Sequence, residues 1–442
     1  MQPQLGRLMQ NQQGSRVSLD TFLTKKLKTA LNAEAFQDWD LAEATYRELL
    51  ILRPDDHRLL TNLATVFWWA DRAEEALPLL QQATEIAPGD WQPQRGLGNV
   101  LRDLNRWDEA DQHYSRARSI DDSGLSAWNH SQLLQGLERF EESYALSERR
   151  LEVEGLEVYR AQPTLDRKNV LGGKPLHLWS EQGLGDSLQY LRWLQPLSER
   201  KGPLVLEIEP ALCSLVESSC AALERSPLVK AKTAVPAALG EEAIHGSLLS
   251  LPHLLGGAPL SSRRYLRGKR GEKKARGIWR VGLCWAAGRK LDDPFTAREY
   301  RRRSLTATAL EQLKAELQGC GAELFNLQVG PDRAMAEHLS TPWSGTLPPA
   351  ADFGETAAWI EQELDLVISV DTACAHLCGA IGFPCWVLLP WAADPRWLRH
   401  RSDSPWYPSL RLWRQGSPRD WGSAIAALVQ GFKQLQATAT AK

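Results

Sequence analysis

Residues 178–194, "LWSEQGLGDSLQYLRWL", combine a glycine-rich turn with a carboxylate that could move a proton. Gly183 and Gly185 lie between an apolar run and a helix-like run, and Asp186 follows them at the start of the helix. Glycine lacks a Cβ atom, so it permits left-handed backbone angles and lets a ligand approach closely. An aspartate in this place either caps the helix or accepts a proton. The stretch therefore predicts a loop at Gly183 and Gly185 beside either a capping aspartate or a carboxylate, Asp186, at the lip of a cleft.

Residues 365–390, "DLVISVDTACAHLCGAIGFPCWVLLP", place three polar side chains after an apolar strand. Asp371 and Thr372 occupy the turn, and His376 lies one helical turn further on. Backbone N–H groups and the helix dipole converge at such a helix N-terminus and attract phosphate. The pattern predicts that Asp371, Thr372 and His376 bind a diphosphate. The alternative is that Asp371 and Thr372 only cap the helix, and that His376 is a buried histidine with satisfied hydrogen bonds.

No metal-ligand pattern accompanies these two stretches. The one D-x-D, formed by Asp38 and Asp40, falls in a turn between helices, where a capping role is expected. The seven cysteines include no pair at the two-residue spacing of a zinc site. Cys374 and Cys378 are four residues apart and would share one helical face as small buried residues. We therefore expect no metal, and stabilisation of a bound diphosphate by helix N-termini and arginine.

A dinucleotide-binding interpretation stays open as an alternative. The dinucleotide fingerprint requires a third glycine three positions after the second, and Leu188 occupies that position here. Glu207 lies about where an acid that binds a ribose could fall. The incomplete pattern weakens an NAD-dependent oxidoreductase without removing it.

The first third of the chain repeats at an interval of 34 residues. The recurring positions are Ala42, Ala76 and Ala110; Tyr46, Leu80 and Tyr114; and Pro54 and Pro88. Small residues let helices pack closely and proline ends a helix, so the interval resembles the tetratricopeptide repeat, a helix–turn–helix unit. We predict an α solenoid over 28–155, with a degenerate fourth pair at 125–150 and a disordered lead-in at 1–27. Its surface would bind a protein or peptide; dimerisation or a spacer role are the alternatives.

From about residue 175, apolar strands alternate with helices, which is typical of parallel sheets covered on both faces. The predicted strands are 174–180, 203–208, 280–286, 322–328, 364–370 and 384–389, and the predicted helices are 186–200, 210–220, 306–319, 354–363, 373–381 and 418–436. A basic stretch at 263–280 is predicted to link two lobes, 170–265 and 278–436. Since aromatic residues are not interleaved in its basic run, no nucleic-acid partner is expected.

Composition and charge are those of an ordinary globular protein. The 442 residues are 43% hydrophobic and 24% charged, with a formal net charge of −2, so nothing global favours nucleic acid or an anionic membrane. The N-terminus lacks an apolar signal core. Glycines and prolines break the most apolar stretch, 377–393, so we predict a buried helix and strand rather than a transmembrane segment. A cytoplasmic or membrane-peripheral location is expected.

Several motifs together resemble one bacterial family. They are "SEQGLGDSLQYLRW" (180–193), "VGLCWAAG" (281–288), "RRSL" (302–305), "NLQVG" (326–330), "DFGETAAWIEQELDLVISVDTACAHLCGAIGFP" (352–384) and "DSPWYPSLRLWRQ" (403–415). With the repeats, the chain resembles bacterial tetratricopeptide-repeat proteins that carry a C-terminal glycosyltransferase module similar to family 9, the ADP-heptose:lipopolysaccharide heptosyltransferases. Its architecture is also similar to that of the protein O-linked N-acetylglucosamine transferases. The resemblance covers nearly the whole chain from about residue 28. "AAGRKLDDPFTAREYRRR" (286–303) departs from the family pattern by being longer and more basic.

The resemblance implies a GT-B fold, with two facing Rossmann-like lobes, and inverting transfer of a sugar from a nucleotide sugar to a protein, peptide or glycan hydroxyl. Asp186 would then be the general base, and Gly183 and Gly185 would form the loop on the acceptor side. By position, the donor side would comprise Asp371, Thr372 and His376 at the diphosphate, Arg303 facing the leaving phosphates, and Gln328 and Gly330 near the nucleotide. No cofactor is expected besides the nucleotide-sugar co-substrate. The alternatives are a non-catalytic repeat scaffold with a degenerate transferase lobe and an NAD-dependent oxidoreductase.

Overall fold

The chain forms two compact units. The computed structural model describes residues 14–153, 165–221, 226–233, 243–257, 261, 264–268, 277–339, 342–348 and 351–440. The first unit contains the residues up to Leu133 together with Asp292–Arg298, and the second contains Leu134–Leu291 and the residues from Glu299 onward. A short segment from the second half of the sequence therefore belongs to the N-terminal unit.

The first unit is a series of helices joined by short turns. They are α1 (Gly14–Ala35), α2 (Trp39–Leu52), α3 (His57–Trp69), α4 (Ala73–Ile86), α5 (Trp91–Asp103), α6 (Trp107–Ile120) and α7 (Gly124–Gly136), the last of which ends in the second unit. The small residues at the repeating interval, Ala42, Ala76 and Ala110, are fully buried. Pro54 and Pro88 follow the ends of α2 and α4. The predicted 34-residue helical repeat is confirmed.

The turn inside each repeat uses a left-handed residue at the same place. Gln37, Asp71 and Asn105 have φ angles of 56°, 62° and 58° and follow one another at the repeat interval. Asp and Asn tolerate this backbone region better than most residues other than glycine do. Asp56 and Asp90, also one interval apart, cap α3 and α5 with their side chains. The repeat is therefore encoded by its turns and caps as well as by its buried alanines.

Helix α1 begins at Gly14, inside the stretch predicted to be a disordered lead-in over 1–27. Leu23 and Ala30 on this helix are buried. The segment is helical because these apolar residues pack against the rest of the repeat, a periodicity hidden by the polar residues between them. Residues 1–13 lie outside the described residues.

The solenoid ends before the predicted boundary at 155. Helix α8 (Phe140–Ser147), the second of the predicted fourth pair, belongs to the second unit. Its Tyr144 is buried in the core of that unit, and its Phe140 ring lies edge-on to Trp406 with centroids 5.7 Å apart. The boundary moves because these two aromatic side chains pack on the α/β unit. Residues 154–164 lie outside the described residues.

The second unit contains two parallel sheets. The first sheet has strands β1 (Leu176–Trp179), β2 (Leu204–Ile208), β3 (Leu228–Ala231) and β4 (Ile244–Ser247) in the order β3-β2-β1-β4. The second has β5 (Arg280–Cys284), β6 (Glu323–Asn326), β7 (Gly345–Thr346), β8 (Leu366–Val370), β9 (Cys385–Leu389) and β10 (Leu410–Arg414) in the order β10-β9-β8-β5-β6-β7. Every paired strand runs parallel to its neighbour. The α/β architecture predicted from the alternating pattern is confirmed.

Helices connect these strands. They are α9 (Leu184–Tyr190), α10 (Pro210–Cys220), α11 (Leu251–Leu255), α12 (Pro294–Arg303), α13 (Ala307–Gly319), α14 (Phe353–Glu363), α15 (Ala373–Ile381) and α16 (Trp421–Thr440). Numbered from its own first strand, the second sheet has the order 3-2-1-4-5-6 of doubly wound nucleotide-binding sheets. The strand order reverses between β5 and β8, and ligands of such sheets bind outside the carboxyl ends at that point.

Within the described ranges, no helix is both long enough and apolar enough to cross a membrane. The apolar stretch 377–393 forms the end of α15 and the whole of β9, as predicted. Part of the predicted linker at 263–280 packs on the second unit, where Tyr265 N–H donates to Ala380 O at 3.0 Å. Residues 269–276 of that linker lie outside the described residues.

Candidate functional site

Asp186 lies in the first turn of α9, directly after β1, and both of its carboxylate oxygens have partners. Oδ2 accepts the Gly183 N–H at 3.0 Å, and Oδ1 accepts from Arg396 Nη1 at 2.8 Å. Since Arg396 follows β9, this contact joins loops at the carboxyl ends of both sheets. The Asp186 and Arg396 side chains are 16% and 19% exposed, so the ion pair is partly shielded from water. A carboxylate oxygen has two lone pairs, so Asp186 can still accept from a hydroxyl.

Arg396 is the main residue of this site that the sequence analysis missed. It also contacts Asp394 Oδ1 at 3.0 Å from Nε and Gln189 Oε1 at 3.3 Å from Nη1. Burial works to lower the pKa of Arg396, but the surrounding carboxylates, first Asp394 and then Asp186, raise it well above its ordinary value. The guanidinium therefore stays charged. A basic residue in the loop directly after a strand, "WAADPRW" (391–397), is the signal that could have indicated it.

Asp371 and Thr372 occupy the turn between β8 and α15, where the sequence placed them. Asp371 is 2% exposed, and its Oδ2 makes no hydrogen bond although Arg303 Nη1 lies 3.5 Å away. Burial raises the pKa of Asp371, and the charge of Arg303 opposes that rise. Thr372 is the N-cap residue of α15, but its side chain does not bond to the helix. The first amides of α15 are thus without a side-chain cap.

Arg303 is the arginine at the end of α12 that reaches this turn. Its Nη1 lies 3.5 Å from both the carboxylate and the main-chain oxygen of Asp371. Arg302 instead donates to Ala392 O at 3.3 Å, and Arg301 is exposed. Arg303 of α12 therefore lies beside Asp371, and the charge of Arg396, which follows β9, also acts to lower the pKa of Asp371.

His376 is buried, at 2% exposure. Its Nδ1 is 2.8 Å from the Tyr407 hydroxyl, its Nε2 is 4.0 Å from Asp371 Oδ1, and its ring stacks on Trp397 with centroids 5.3 Å apart. Burial, followed by the charge of Arg396, lowers the pKa of His376 well below its ordinary value. The ring is therefore neutral. These surroundings match the alternative interpretation of His376 as a buried histidine with a satisfied hydrogen bond.

Gly185 is needed for close packing and not for an unusual backbone angle. Neither Gly183 nor Gly185 is left-handed; the positive φ in this turn, 63°, belongs to Gln182. The two glycines thus do not use the left-handed angles that glycine permits. A Cβ atom on Gly185 would lie 2.8 Å from His376 Cδ2, whereas one on Gly183 would meet only Asp186 Oδ2, at 3.3 Å. The turn needs Gly185 because α9 approaches His376 at van der Waals distance.

Gln328 organises the main chain at the point where the strand order reverses. Its Oε1 accepts the N–H groups of Trp285 at 3.0 Å and Ala286 at 2.9 Å, and its Nε2 donates to Val329 O at 3.1 Å. These bonds join the loop after β5 to the loop after β6. Gln328 thus lies close to the predicted nucleotide site, and it positions backbone there with both ends of its amide.

Arg192 is a second residue that the sequence analysis missed. It is 1% exposed, its Nη1 donates to Trp406 O at 2.7 Å, and its guanidinium lies over the Tyr407 ring at 4.5 Å. Its Nε donates to Gln189 O at 2.8 Å. Arg192 thereby connects Gln189 of α9 to the ring of Tyr407, whose hydroxyl group contacts the buried histidine. An arginine inside the apolar run "LQYLRWL" (188–194) was the available signal.

Within the described part of the chain, no three His, Cys, Asp or Glu side chains come together as a group that could hold a metal ion. The carboxylate of Asp38 accepts the Leu41 N–H at 3.1 Å, which is the capping role expected for the D-x-D in the repeats. No site residue described above depends on a metal for its position.

We expect Gly185→Ala to lower the free energy of unfolding of the second unit by about 1–3 kcal/mol, because the added methyl group would overpack a buried ring. His376 cannot move aside cheaply, since Tyr407 and Trp397 hold it. Urea unfolding followed by tryptophan fluorescence measures the change. Gly183→Ala is the matched control, with an expected loss below about 0.5 kcal/mol. Equal losses in the two variants would contradict the packing argument.

We expect the free energy of unfolding to decrease below pH 6.5 through His376. Above pH 6.5 the ring is neutral in both states; as the pH falls, the unfolded histidine binds a proton that the folded one, with its lowered pKa, does not. The contribution to the slope is at most about 1.4 kcal/mol per pH unit. Urea unfolding between pH 7.5 and pH 5 should show this slope reduced in His376→Gln. Parallel curves for the two proteins would disprove the assignment.

The comparisons with known proteins define the class of the first unit. A family model for the tetratricopeptide repeat matches residues 55–123, which run from the turn before α3 into the turn after α6. Together with the buried alanines and the repeated turns, this match makes the first unit a tetratricopeptide-repeat solenoid. Repeats of this class provide binding surfaces for other proteins. The second unit is an α/β module with a doubly wound parallel sheet.

Similar solved structures are those of other repeat proteins. The crystal structure of MamA protein is 13% identical, with 29% of this chain and 71% of that chain covered and a TM-score of 0.27. YrrB, described as a tetratricopeptide-repeat protein with an unusual peptide-binding site, is 18% identical, with coverage of 32% and 74% and a TM-score of 0.27. The tetratricopeptide-repeat domain of Arabidopsis OM64 is 17% identical, with coverage of 26% and 94% and a TM-score of 0.25. No curated protein matches the chain.

Proposed function

We propose that the second unit is an inverting, metal-independent glycosyltransferase that uses a nucleotide sugar, and that the repeats bind its acceptor or a partner protein. The observation that carries this proposal is the contact of Asp186, after β1, with Arg396, after β9, beside the turn at Asp371 and Thr372. Sugar transfer needs a base for the acceptor and a cationic clamp for the departing diphosphate. These are the two kinds of group that meet here, at the carboxyl ends of parallel strands.

The donor would bind at the point where the order of the second sheet reverses. The uncapped amides at the start of α15 would receive the diphosphate, with the Thr372 hydroxyl as a further donor. Arg303 and Arg396 would contact the phosphate oxygens, on which negative charge develops as the sugar departs. The amides and the two guanidinium groups together supply the charge stabilisation that other transferases obtain from a divalent cation.

The acceptor would bind on the side of Asp186. Its hydroxyl would donate to the free lone pair of the carboxylate, and Asp186 would take the proton as the oxygen forms its bond to the anomeric carbon. The bond from that carbon to the diphosphate oxygen breaks on the opposite face, which inverts the configuration. In this structure Arg396 forms an ion pair with Asp186. If Arg396 paired instead with the phosphate of a bound donor, Asp186 would be released to act as the base. Because Gly185 touches His376, donor entry would require α9 and α15 to separate.

Calorimetric titration of the full-length protein tests the donor site. The ligands are UDP, GDP and ADP, each with and without EDTA, and the corresponding monophosphates. We expect one diphosphate to bind at least about tenfold more tightly than its monophosphate, a difference of about 1.4 kcal/mol, and EDTA to have no effect. Thr372→Val should weaken the diphosphate and leave the monophosphate unchanged. Absence of binding by all three would favour a non-catalytic scaffold, and saturable binding of NADH would favour an oxidoreductase. Loss of binding in EDTA would contradict metal independence.

A further inference from the structure

Residues 292–298 form a short segment that packs on the helices of two repeats. The segment belongs to the repeat unit, although it follows β5 in the sequence. Its Phe295 ring lies edge-on to Trp69, with centroids 6.4 Å apart, and its Arg298 pairs with Asp103 at 2.6 Å. Trp69, at the end of α3, and Asp103, at the end of α5, are separated by one repeat interval. The segment therefore contacts equivalent positions of successive repeats.

The guanidinium of Arg298 fills a pocket whose chemistry selects arginine. Asp71 Oδ1 lies 3.1 Å from its Nε, Asp103 Oδ2 lies 2.6 Å from its Nη2, and the centroid of the Trp68 ring is 4.4 Å from its central carbon. A planar guanidinium can donate from its edge to carboxylates while its face stacks on an aromatic ring, whereas the ammonium of lysine is a compact point charge. Because two carboxylates lie in this pocket, it also needs a cation.

The two anchoring side chains, Phe295 and Arg298, are three residues apart on one helical turn. Asp293 caps this turn by accepting the Thr296 N–H at 2.8 Å, and Pro294 is the first residue of α12. Side chains at this spacing lie on the same face of a helix. Helical peptides are recognised in this way on protein surfaces, through anchors from a single face. The segment thus presents to the repeats an aromatic residue followed three positions later by an arginine.

The segment is attached to the repeats through few of its residues. Of the residues 292–298, only Ala297 and Arg298 are buried, and Phe295 is 48% exposed. The stretch 285–291, which joins the segment to β5, contains no helix or strand. A tethered segment of this kind competes with other ligands at an effective concentration in roughly the millimolar range. A separate peptide could displace it by making further contacts along the repeats.

We propose that the repeat unit binds a helical peptide of a partner protein, which carries an aromatic residue and, three positions later, an arginine, and that residues 292–298 occupy this site as an internal competitor. The inference rests on the proposed function, in which the repeats bind a partner, and it states the chemistry of that partner. Repeats of this class provide binding surfaces for other proteins. The arginine of the partner enters the pocket of Asp71 and Asp103, and its aromatic ring packs on Trp69.

Fluorescence anisotropy of the full-length protein with a labelled synthetic peptide tests the site. The peptide has the sequence of residues 289–301, RKLDDPFTAREYR. Arg298→Ala should bind it at least about tenfold more tightly than the wild-type protein does, because the internal segment of the variant no longer fills the pocket. A second peptide with lysine in place of the arginine at position 298 should bind the variant at least about tenfold more weakly. Equal affinities of the two proteins, or of the two peptides, would overturn the proposal.

Phe295→Ala keeps the test valid if Arg298→Ala does not fold. This variant retains the buried ion pairs and loses the ring that lies on Trp69, so its affinity for the peptide should exceed that of the wild-type protein. Hydrogen exchange locates the binding: the peptide should slow exchange in α3 and α5 of this variant and speed it in 296–298. Absence of binding, or slower exchange only outside the repeats, would disprove the site.

Failure of this inference is distinguishable from failure of the proposed transferase. The peptide is titrated without a nucleotide, and the nucleoside diphosphates are titrated without the peptide. Loss of the first result with the second intact removes the peptide site alone, and the reverse removes the donor site alone.

Discussion

Asp186→Asn is expected to reduce the rate of sugar transfer by about 10²–10⁴-fold, because the amide cannot take the proton of the acceptor hydroxyl. The substitution preserves the shape of the side chain, and its oxygen can still accept the Gly183 N–H that now bonds to Asp186. Since the lost interaction acts in the transition state, binding of the nucleoside diphosphate should change by less than about threefold. Release of nucleoside diphosphate from a panel of nucleotide sugars measures the rate, and calorimetry measures the binding.

Two further substitutions make this result specific. Glu199→Gln exchanges a carboxylate for an amide at an exposed position of the same sheet's connections and should leave the rate unchanged. Arg396→Gln breaks the ion pair but leaves Asp186 in place, so it should weaken donor binding while Asp186 remains able to act as the base. If Asp186→Asn retains more than about a tenth of the wild-type rate, the carboxylate is not the general base.

The sequence predicts those parts of the site whose residues lie close together in the chain. A buried strand, a polar turn and a short helix place Asp371, Thr372 and His376 within six residues, so any fold that preserves this unit brings them together. The same holds for Asp186 behind its glycine turn. For these residues the local sequence predicts where the backbone lies. The structure adds which atoms form hydrogen bonds and ion pairs.

The partners of those residues could not be predicted, because they are chosen by packing between distant elements. Arg396 is 210 residues from the carboxylate that it pairs with. Arg192 and Tyr407 likewise come from different parts of the chain, yet the Arg192 guanidinium lies over the Tyr407 ring and the Tyr407 hydroxyl contacts His376. The sequence draws attention to Gly185 for its backbone freedom. The neighbour that forbids a side chain there, His376, becomes visible only when α9 and α15 pack together.

The stretch 286–303 also has features that are visible in the sequence and contacts that only the structure shows. Its many basic residues are visible in the sequence, but they do not indicate which unit the stretch joins. Only the structure shows that Asp292–Arg298 belongs to the repeat unit. Arg298 pairs there with Asp71 at 3.1 Å and Asp103 at 2.6 Å, which lie in successive repeats. Arg298, which the sequence alone would place in a loop, is thus buried in the solenoid.

Arg298→Ala is expected to lower the free energy of unfolding of the repeat unit by about 3–5 kcal/mol, because it leaves buried charge without its partner. The Arg298 side chain is 1% exposed and Asp103 6%. The guanidinium also lies over the Trp68 ring at 4.4 Å, and Trp68 Nε1 donates to Asp103 Oδ2 at 2.7 Å. Removal of the cation therefore disturbs an interlocked group, in which Asp103 retains one hydrogen bond but loses its counter-charge.

Hydrogen exchange read by mass spectrometry resolves this effect within the full-length protein. Amides of α3 and α5 should exchange about a hundredfold faster or more in Arg298→Ala, since each 1.4 kcal/mol is a tenfold change in the opening equilibrium. Amides of β8 should keep their protection, because that strand belongs to the other unit. Arg301→Ala removes an exposed arginine from the same helix and should change exchange in α3 and α5 by less than about threefold, equivalent to roughly 0.5 kcal/mol. Equal exchange in the two variants would mean that Asp71 and Asp103 do not need Arg298, and the segment 292–298 would then be attached to the repeats without stabilising them.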